Sequence, residues 1–315
     1  MKLIKSATSY RIHLPQRGED LAELCKKKPF RELAPSDFAG AGFVEPVEAE
    51  GLVVPFVGGY AFAVRYDEKI VPAAVTNQET KKRVAQLEEQ QDRRIGRKER
   101  QQIREEVFHD LVLKALTRTQ QITCFFLPEH KLLIVPTTSQ KLADIVTSEL
   151  CRVMESVKAT TIYVSSVKGS LTTYLKAKLN LTEDDDYEKV FPFDFGRQVR
   201  LQSEGRSFTF ALSETLDEAL QGVEEALDHG AQVTEVELFD GTTRFRLTKD
   251  FKLKAIDCGE SADSKDFSYL ELWQHEAEVQ TQAVAAVINA LCEALDFKDP
   301  AEEAQQEKAG EEAFA

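Results

Sequence analysis

The stretch TNQETKKRVAQLEEQQDRRIGRKERQQIREEVFHDLVLKAL, residues 76–116, limits what this chain can fold into more than any other, because it reads as helix yet offers little to bury. Thr76 and Glu79 have the Thr-x-x-Glu spacing of a capping box behind Pro72, and strong helix formers then run to Arg94. Gly96 is free to take the left-handed conformation that ends a helix, which predicts a second helix from about Arg97 to Leu116. Apolar residues recur at helical spacing in the later half of that second helix, at Ile103, Val107, Leu111 and Ala115, joined by Phe108 and Val112. In the first helix little stands out besides Val84 and Leu87. A helix that is polar nearly all round cannot be core. The pattern therefore predicts a helical-hairpin finger, rooted by its last turns, with its tip in water.

That tip carries charge of an unexpected sign. DRRIGRKERQQIR, residues 92–104, sets six cations (Arg93, Arg94, Arg97, Lys98, Arg100, Arg104) against Asp92 and Glu99, in a chain of 40 Lys+Arg, 54 Asp+Glu and formal net charge −14. The acidic balance argues against uniform coating of nucleic acid, but it does not prevent a local basic surface. Binding to a phosphate backbone needs several Lys or Arg on one exposed element, which this segment supplies. The bland alternative is a solvated face with Arg94 and Lys98 paired to Glu88, Glu89, Asp92 and Glu99 at helical spacing.

The rest of the chain alternates strands and helices in an order that predicts an α+β protein built on antiparallel sheets. Residues 1–75 read as an N-terminal α+β region with strands at 3–13 and within 52–72 and a short helix at Leu21–Lys27. After the finger, 76–118, a central α+β region (119–180) holds a β-hairpin turning at Pro128–His130, an amphipathic helix at 139–157, a strand at 160–165 and a helix at 168–178. A C-terminal α+β region (181–298) holds an acidic loop at 181–188, strands near 198–202 and 206–212, a helix at 213–228, a three-stranded meander and a long helix at 267–296. The tail, 299–315, is polar, acidic and expected to be disordered.

The meander, TEVELFDGTTRFRLTKDFKLKAI, is a second candidate surface. Asp240-Gly241 is a strong two-residue hairpin signal, and it predicts Glu237 opposite Arg244 and Glu235 opposite Arg246. A three-residue loop at 248–250 would then place Lys252 opposite Arg246 and Lys254 opposite Arg244. Strand alternation gives one face to Arg244, Arg246, Lys252, Lys254 and the two glutamates, and buries Val236, Phe245, Leu247, Phe251 and Leu253 on the other. Cross-strand ion pairing on a wet face accounts for the same pattern.

Signs of chemistry are weak. Glu106-x-x-His109 is half of a di-iron pattern without its second half. Glu183, Asp184, Asp185 and Asp186 offer oxygen ligands without the spacing of a calcium loop. No glycine-rich phosphate loop or nucleophile elbow is present. The five cysteines (Cys25, Cys124, Cys151, Cys258, Cys292) are far apart, so neither a zinc site nor a disulfide framework is expected. No signal-peptide pattern and no bilayer-spanning apolar run is seen, and a reducing cytoplasm is the expected compartment.

An ordered series of motifs resembles the bacterial recombination-associated RdgC family: YRIHL (10–14), GFVEP (42–46), YDEKIVP (66–72), REEVFHDLVLKAL (104–116), LLIVPTTSQKLADIV (132–146), LTTYL (171–175) and the meander itself. The resemblance covers most of the chain. It implies a ring-shaped homodimer with a positively lined hole that holds duplex DNA with little sequence preference and restrains RecA-driven strand exchange. It implies no catalysis, no cofactor, no metal and no membrane, and a place in the cytoplasm on the nucleoid. By resemblance the meander lines the hole and the finger helps to close it. The implied DNA-facing set is the six finger-tip cations, Lys114 and Arg118 at the finger's root, and Arg244, Arg246, Lys252 and Lys254. The family's Leu-Pro-Arg-Ala-Phe at the root is here Leu113-Lys114-Ala115-Leu116, so Leu116 stands where an aromatic makes a ring contact and is the candidate dimer residue. A Lys-rich strand of the family is here SFTFALS, residues 207–213. Two readings of other classes stay open: a metal-dependent nuclease centred on Glu183–Asp186, and a protein–protein adaptor acting through the finger.

Overall fold

The computed structural model describes residues 1–48, 50–154, 159–162, 167–179, 191–211, 217–259 and 268–297. The acidic cluster Glu183–Asp186 and the tail after 297 lie outside the described residues.

In chain order the elements are β1 (Ser6–Ile12), α1 (Gly18–Lys26), β2 (Ala39–Val44), β3 (Val53–Phe56), β4 (Gly59–Lys69), α2 (Ala73–Gln91), α3 (Arg97–Lys114), β5 (Thr117–Leu127), β6 (Leu132–Val135), α4 (Gln140–Val153), β7 (Ala159–Thr161), α5 (Val167–Leu179), β8 (Asp194–Ser203), β9 (Arg206–Ala211), α6 (Asp217–Asp228), β10 (Gln232–Phe239), β11 (Arg244–Thr248), β12 (Leu253–Asp257) and α7 (Tyr269–Ala294). The strands form one 12-stranded sheet in the order β2-β4-β5-β6-β1-β12-β11-β10-β8-β9, with β3 added to β4 and β7 to β1. All pairings between these strands are antiparallel. The chain is thus α+β, and its N-terminal strand joins the two halves of the sheet: Ser6 pairs with Lys254 on one side and Thr8 with Val135 on the other.

Side-chain alternation explains why the halves differ. In β6 every residue of LLIV is buried, because Leu132 and Ile134 enter one core while Leu133 and Val135 enter another. Such a continuous apolar run belongs to a strand covered on both faces. The first core packs α5, α6 and α7 against the sheet through Leu171, Leu175, Val223, Trp273, Val284 and Ile288. The second packs α1 and α4 through Leu21, Cys25, Val146 and Leu150. The buried apolar residues of β8 and β10–β12 all belong to the first core, and apart from Phe239 and Ala255 their neighbours along each strand are polar. Half of the sheet therefore keeps one polar face.

Several expectations are corrected. β2, with the sequence AGAGFV, carried no strand signal because alanine and glycine are poor strand formers. It exists because the bare glycine lets another segment approach: a Cβ on Gly42 would lie 2.5 Å from the Phe30 Cα. The capping box at Thr76 does not form. The helix begins a turn earlier, at Ala73, with Pro72 as its extended N-cap, whose carbonyl accepts the Thr76 amide. The left-handed residue that ends α2 is Asp92, with φ 46°, whereas Gly96 is extended and begins α3. The capping box that does form is Ser268 with Glu271, at the start of α7.

The meander register is also displaced. Phe239 pairs with Arg244 and Glu237 with Arg246, so the connection is the four residues Asp240–Thr243. The Asp240 carboxylate accepts the Thr242 and Thr243 amides at 2.9 and 2.6 Å and the Thr242 hydroxyl at 2.9 Å, which favours this wider loop over a two-residue turn. The shift is two residues, so every side chain keeps its face. Lys254, not Lys252, then stands opposite Arg246, and Lys252 lies in the loop before β12.

Candidate nucleic-acid interface

Helices α2 and α3 pack on each other through a core of their own. Val84, Ile95, Ile103 and Val107 are buried together, with Leu87 and Leu111 against them. Ile95 sits in the connection between the helices, so even the tip is pinned by an apolar residue. Its amide donates to Glu88 Oε1 at 2.9 Å, and Arg93 donates twice to Glu99, at 2.8 and 2.6 Å. That bond holds the Glu99 carboxyl below its ordinary range and raises Arg93. The helical-spacing pairs of Arg94 and Lys98 are not formed among the described residues; the ion pair present is Arg93–Glu99, six residues apart across the connection. Arg94, Arg97, Lys98, Arg100 and Arg104 are exposed and have no ion pair among the described residues. Arg97, Arg100 and Arg104 line one groove between the helices, an open space of about 930 Å³, with Lys81 opposite and Glu88 and Glu105 as its acidic members.

The base of the helix pair is apolar and exposed. Leu116 is 79% exposed, Leu113 55%, Ile70 51% and Phe38 40%. Leu116, Ile70 and Phe38 are tied together by the backbone: the Ile70 amide donates to Leu116 O and the Lys69 amide to Phe38 O, both at 2.8 Å. The Phe38 ring lies 5.3 Å from Phe108 of α3. Lys114 and Arg118 are exposed beside this patch. Single exposed apolar residues need no explanation; several near one another are the kind of surface from which a contact can be proposed.

The polar face of the sheet gathers the other candidates. Arg244 donates to Glu237 at 3.2 Å, and Arg246 to Glu235 at 3.1 Å and Gln198 at 3.2 Å. Lys254, two strands away, reaches the same Glu235 at 2.7 Å. Lys252 donates to the Thr138 carbonyl at 2.9 Å. Sequence reasoning missed Arg200 of β8, which lies 3.9 Å from Glu235 and bonds Thr209 of β9. The alternation Gln198-Val199-Arg200-Leu201-Gln202 carried that signal. The face holds Arg200, Arg244, Arg246, Lys252 and Lys254 against Glu235 and Glu237.

The order of elements and these two basic surfaces lead to the comparison with known families. A family model described as "Putative exonuclease, RdgC" matches residues 3–298. The chain belongs to the RdgC family. The recombination-associated protein RdgC of Neisseria meningitidis serogroup C is 26% identical over 273 residues, spanning 84% of this chain and 83% of its own length. Its counterpart in Pseudomonas putida strain GB-1 is 31% identical over 182 residues, 55% of this chain and 59% of its own length. RdgC proteins are thus named for recombination and, in the family description, for exonuclease activity. Among the described residues no group of three or more His, Cys, Asp or Glu is placed to hold a metal ion, and Glu106 and His109 are exposed on α3. No helix of the described residues is long and apolar enough to cross a membrane.

Proposed function

We propose that this RdgC-family protein holds duplex DNA by its phosphate backbone, with little sequence preference, as a ring-shaped homodimer that modulates RecA-dependent recombination. The carrying observation is the concentration of exposed cations without an ion pair among the described residues, Arg94, Arg97, Lys98, Arg100 and Arg104, on one helix pair of an acidic chain. Phosphate contacts of this kind position a protein on DNA without reading sequence. The sheet face adds a second basic surface on a rigid support. The apolar cluster around Leu116 is the self-contact that closes the ring, and a two-fold dimer uses such a patch twice. The protein acts in the cytoplasm on the nucleoid, without cofactor and without chemistry on the DNA.

The family description keeps a second reading in view, that of a metal-dependent nuclease. One experiment separates the two. Purified protein is bound to duplexes of unrelated sequence across a salt series, with and without magnesium or manganese, and the DNA is recovered. The proposal expects log affinity to fall linearly with log salt, alike for all sequences, and the DNA to return intact. DNA shortened from its ends in metal, with cutting abolished in Asp184→Asn or Asp185→Asn protein, overturns the non-enzymatic reading. Absence of binding at low salt overturns the DNA reading itself.

A further inference from the structure

Glu235 of β10 is 6% exposed, yet it lies under three cations. Its Oε1 accepts from Arg246 at 3.1 Å; its Oε2 accepts from Lys254 at 2.7 Å and faces Arg200 at 3.9 Å. These cations come from three strands, β11, β12 and β8, so the contacts are not neighbours in sequence. The cation side chains remain 30–43% exposed above a carboxylate that is 8% exposed. Beside them opens a basin of about 410 Å³, lined by Arg200, Lys249, Lys252 and Lys254 and by the acidic Glu235 and Asp250. Thr138, Gln202, Ser207, Thr234 and Thr248 complete it.

A buried carboxylate that gathers three cations resembles, in charge and in hydrogen-bond acceptors, the phosphodiester oxygens that the same cations would bind. We propose that Glu235 is a built-in competitor for a nucleic-acid phosphate in this basin: it orders Arg200 and Lys254, the two of its cations that line the basin, in the absence of DNA, and it keeps their grip on a phosphate weak. The inference rests on the DNA-binding reading above and adds how tightly that surface binds. Backbone binding gains one counterion-release increment for each phosphate neutralised. A cation already held by Glu235 yields only part of that increment. The consequence is a sheet face over which DNA moves instead of being locked, because each contact exchanges one anion for another.

The test uses full-length protein and a fluorescent duplex, with affinity measured across a salt series. Glu235→Gln keeps the side-chain size and removes the charge. It is expected to bind DNA several-fold more tightly at fixed salt and to steepen the log–log salt slope by about 0.9, one more phosphate. Adding Arg200→Gln and Lys254→Gln should abolish that increase. Arg200→Gln alone, at a partly exposed position, serves as the second variant and should flatten the wild-type slope. If Glu235→Gln protein melts like wild type but binds no more tightly, Glu235 is not a competitor. If Glu235→Gln does not fold, an unchanged slope in Arg200→Gln protein sinks the phosphate basin. Wild-type protein that binds no DNA overturns both this inference and the reading beneath it, whereas normal wild-type binding with unresponsive variants overturns the inference alone.

Discussion

Asp67 of β4 is 4% exposed and receives two bonds from Arg65, at 3.0 and 2.8 Å. That arginine holds the Asp67 carboxyl below its ordinary value of 3.8, against the opposing effect of burial. A carboxylate with a depressed folded value adds stability above its unfolded value and loses it as pH falls through the folded one. Asp67→Asn should therefore lower the melting temperature at neutral pH, and its deficit against wild type should shrink as the medium is acidified below the ordinary carboxylate range. A deficit independent of pH would assign the loss to packing instead. The residue scale is also where sequence reading was least secure. A Ser or Thr followed three residues later by Glu occurs at Thr76 and at Ser268, yet only Ser268 accepts from the N3 amide, at 3.3 Å, while Glu271 accepts from the Ser268 amide at 2.9 Å. The motif states what a cap could do; where the helix starts decides whether it does, and Pro72 started α2 a turn early.

At the scale of elements, α2 and α3 form a pair with its own small core, and that core was half legible. Val84, Ile103 and Val107 follow helical spacing, but Ile95 lies in the connection, where no period applies. Its burial fixes the tip and spreads the surrounding cations over a defined surface. Arg94, Arg97, Lys98 and Arg100 changed together to glutamine should weaken DNA binding about equally for all sequences. The log–log salt slope should flatten by about 0.9 for each phosphate that the variant no longer neutralises. Arg93→Gln should change the slope far less, because Glu99 already holds Arg93. Equal slopes for the quadruple variant and wild type would return the cluster to a solvated face. In the meander the faces were legible and the register was not. Face assignment needs only the period of two, whereas register depends on the loop, and Asp240 bonding to Thr242 and Thr243 is a three-dimensional outcome.

At the scale of the molecule, the sheet is continuous from β2 to β9, with one core along one side and a second core under only half of the other. The half left polar is the half that carries Glu235 and its cations. The antiparallel α+β class was readable from the order of strand and helix patterns. The single sheet was not, because the pairing of β1 with β12 joins residues some 250 positions apart and leaves no local trace. The proposed ring belongs to this scale too, and the proposal closes it through the exposed residues Leu116, Leu113, Ile70 and Phe38. The most direct measurement is the dissociation rate of wild-type and Leu116→Asp protein from covalently closed and linear duplexes of equal length. A ring closed around DNA leaves a linear molecule by its ends but a closed circle only by opening. Wild-type protein should therefore leave the circle more slowly, and Leu116→Asp, which charges the contact without touching a core, should erase that difference. Equal rates from both DNAs for the wild-type protein would contradict the encircling dimer.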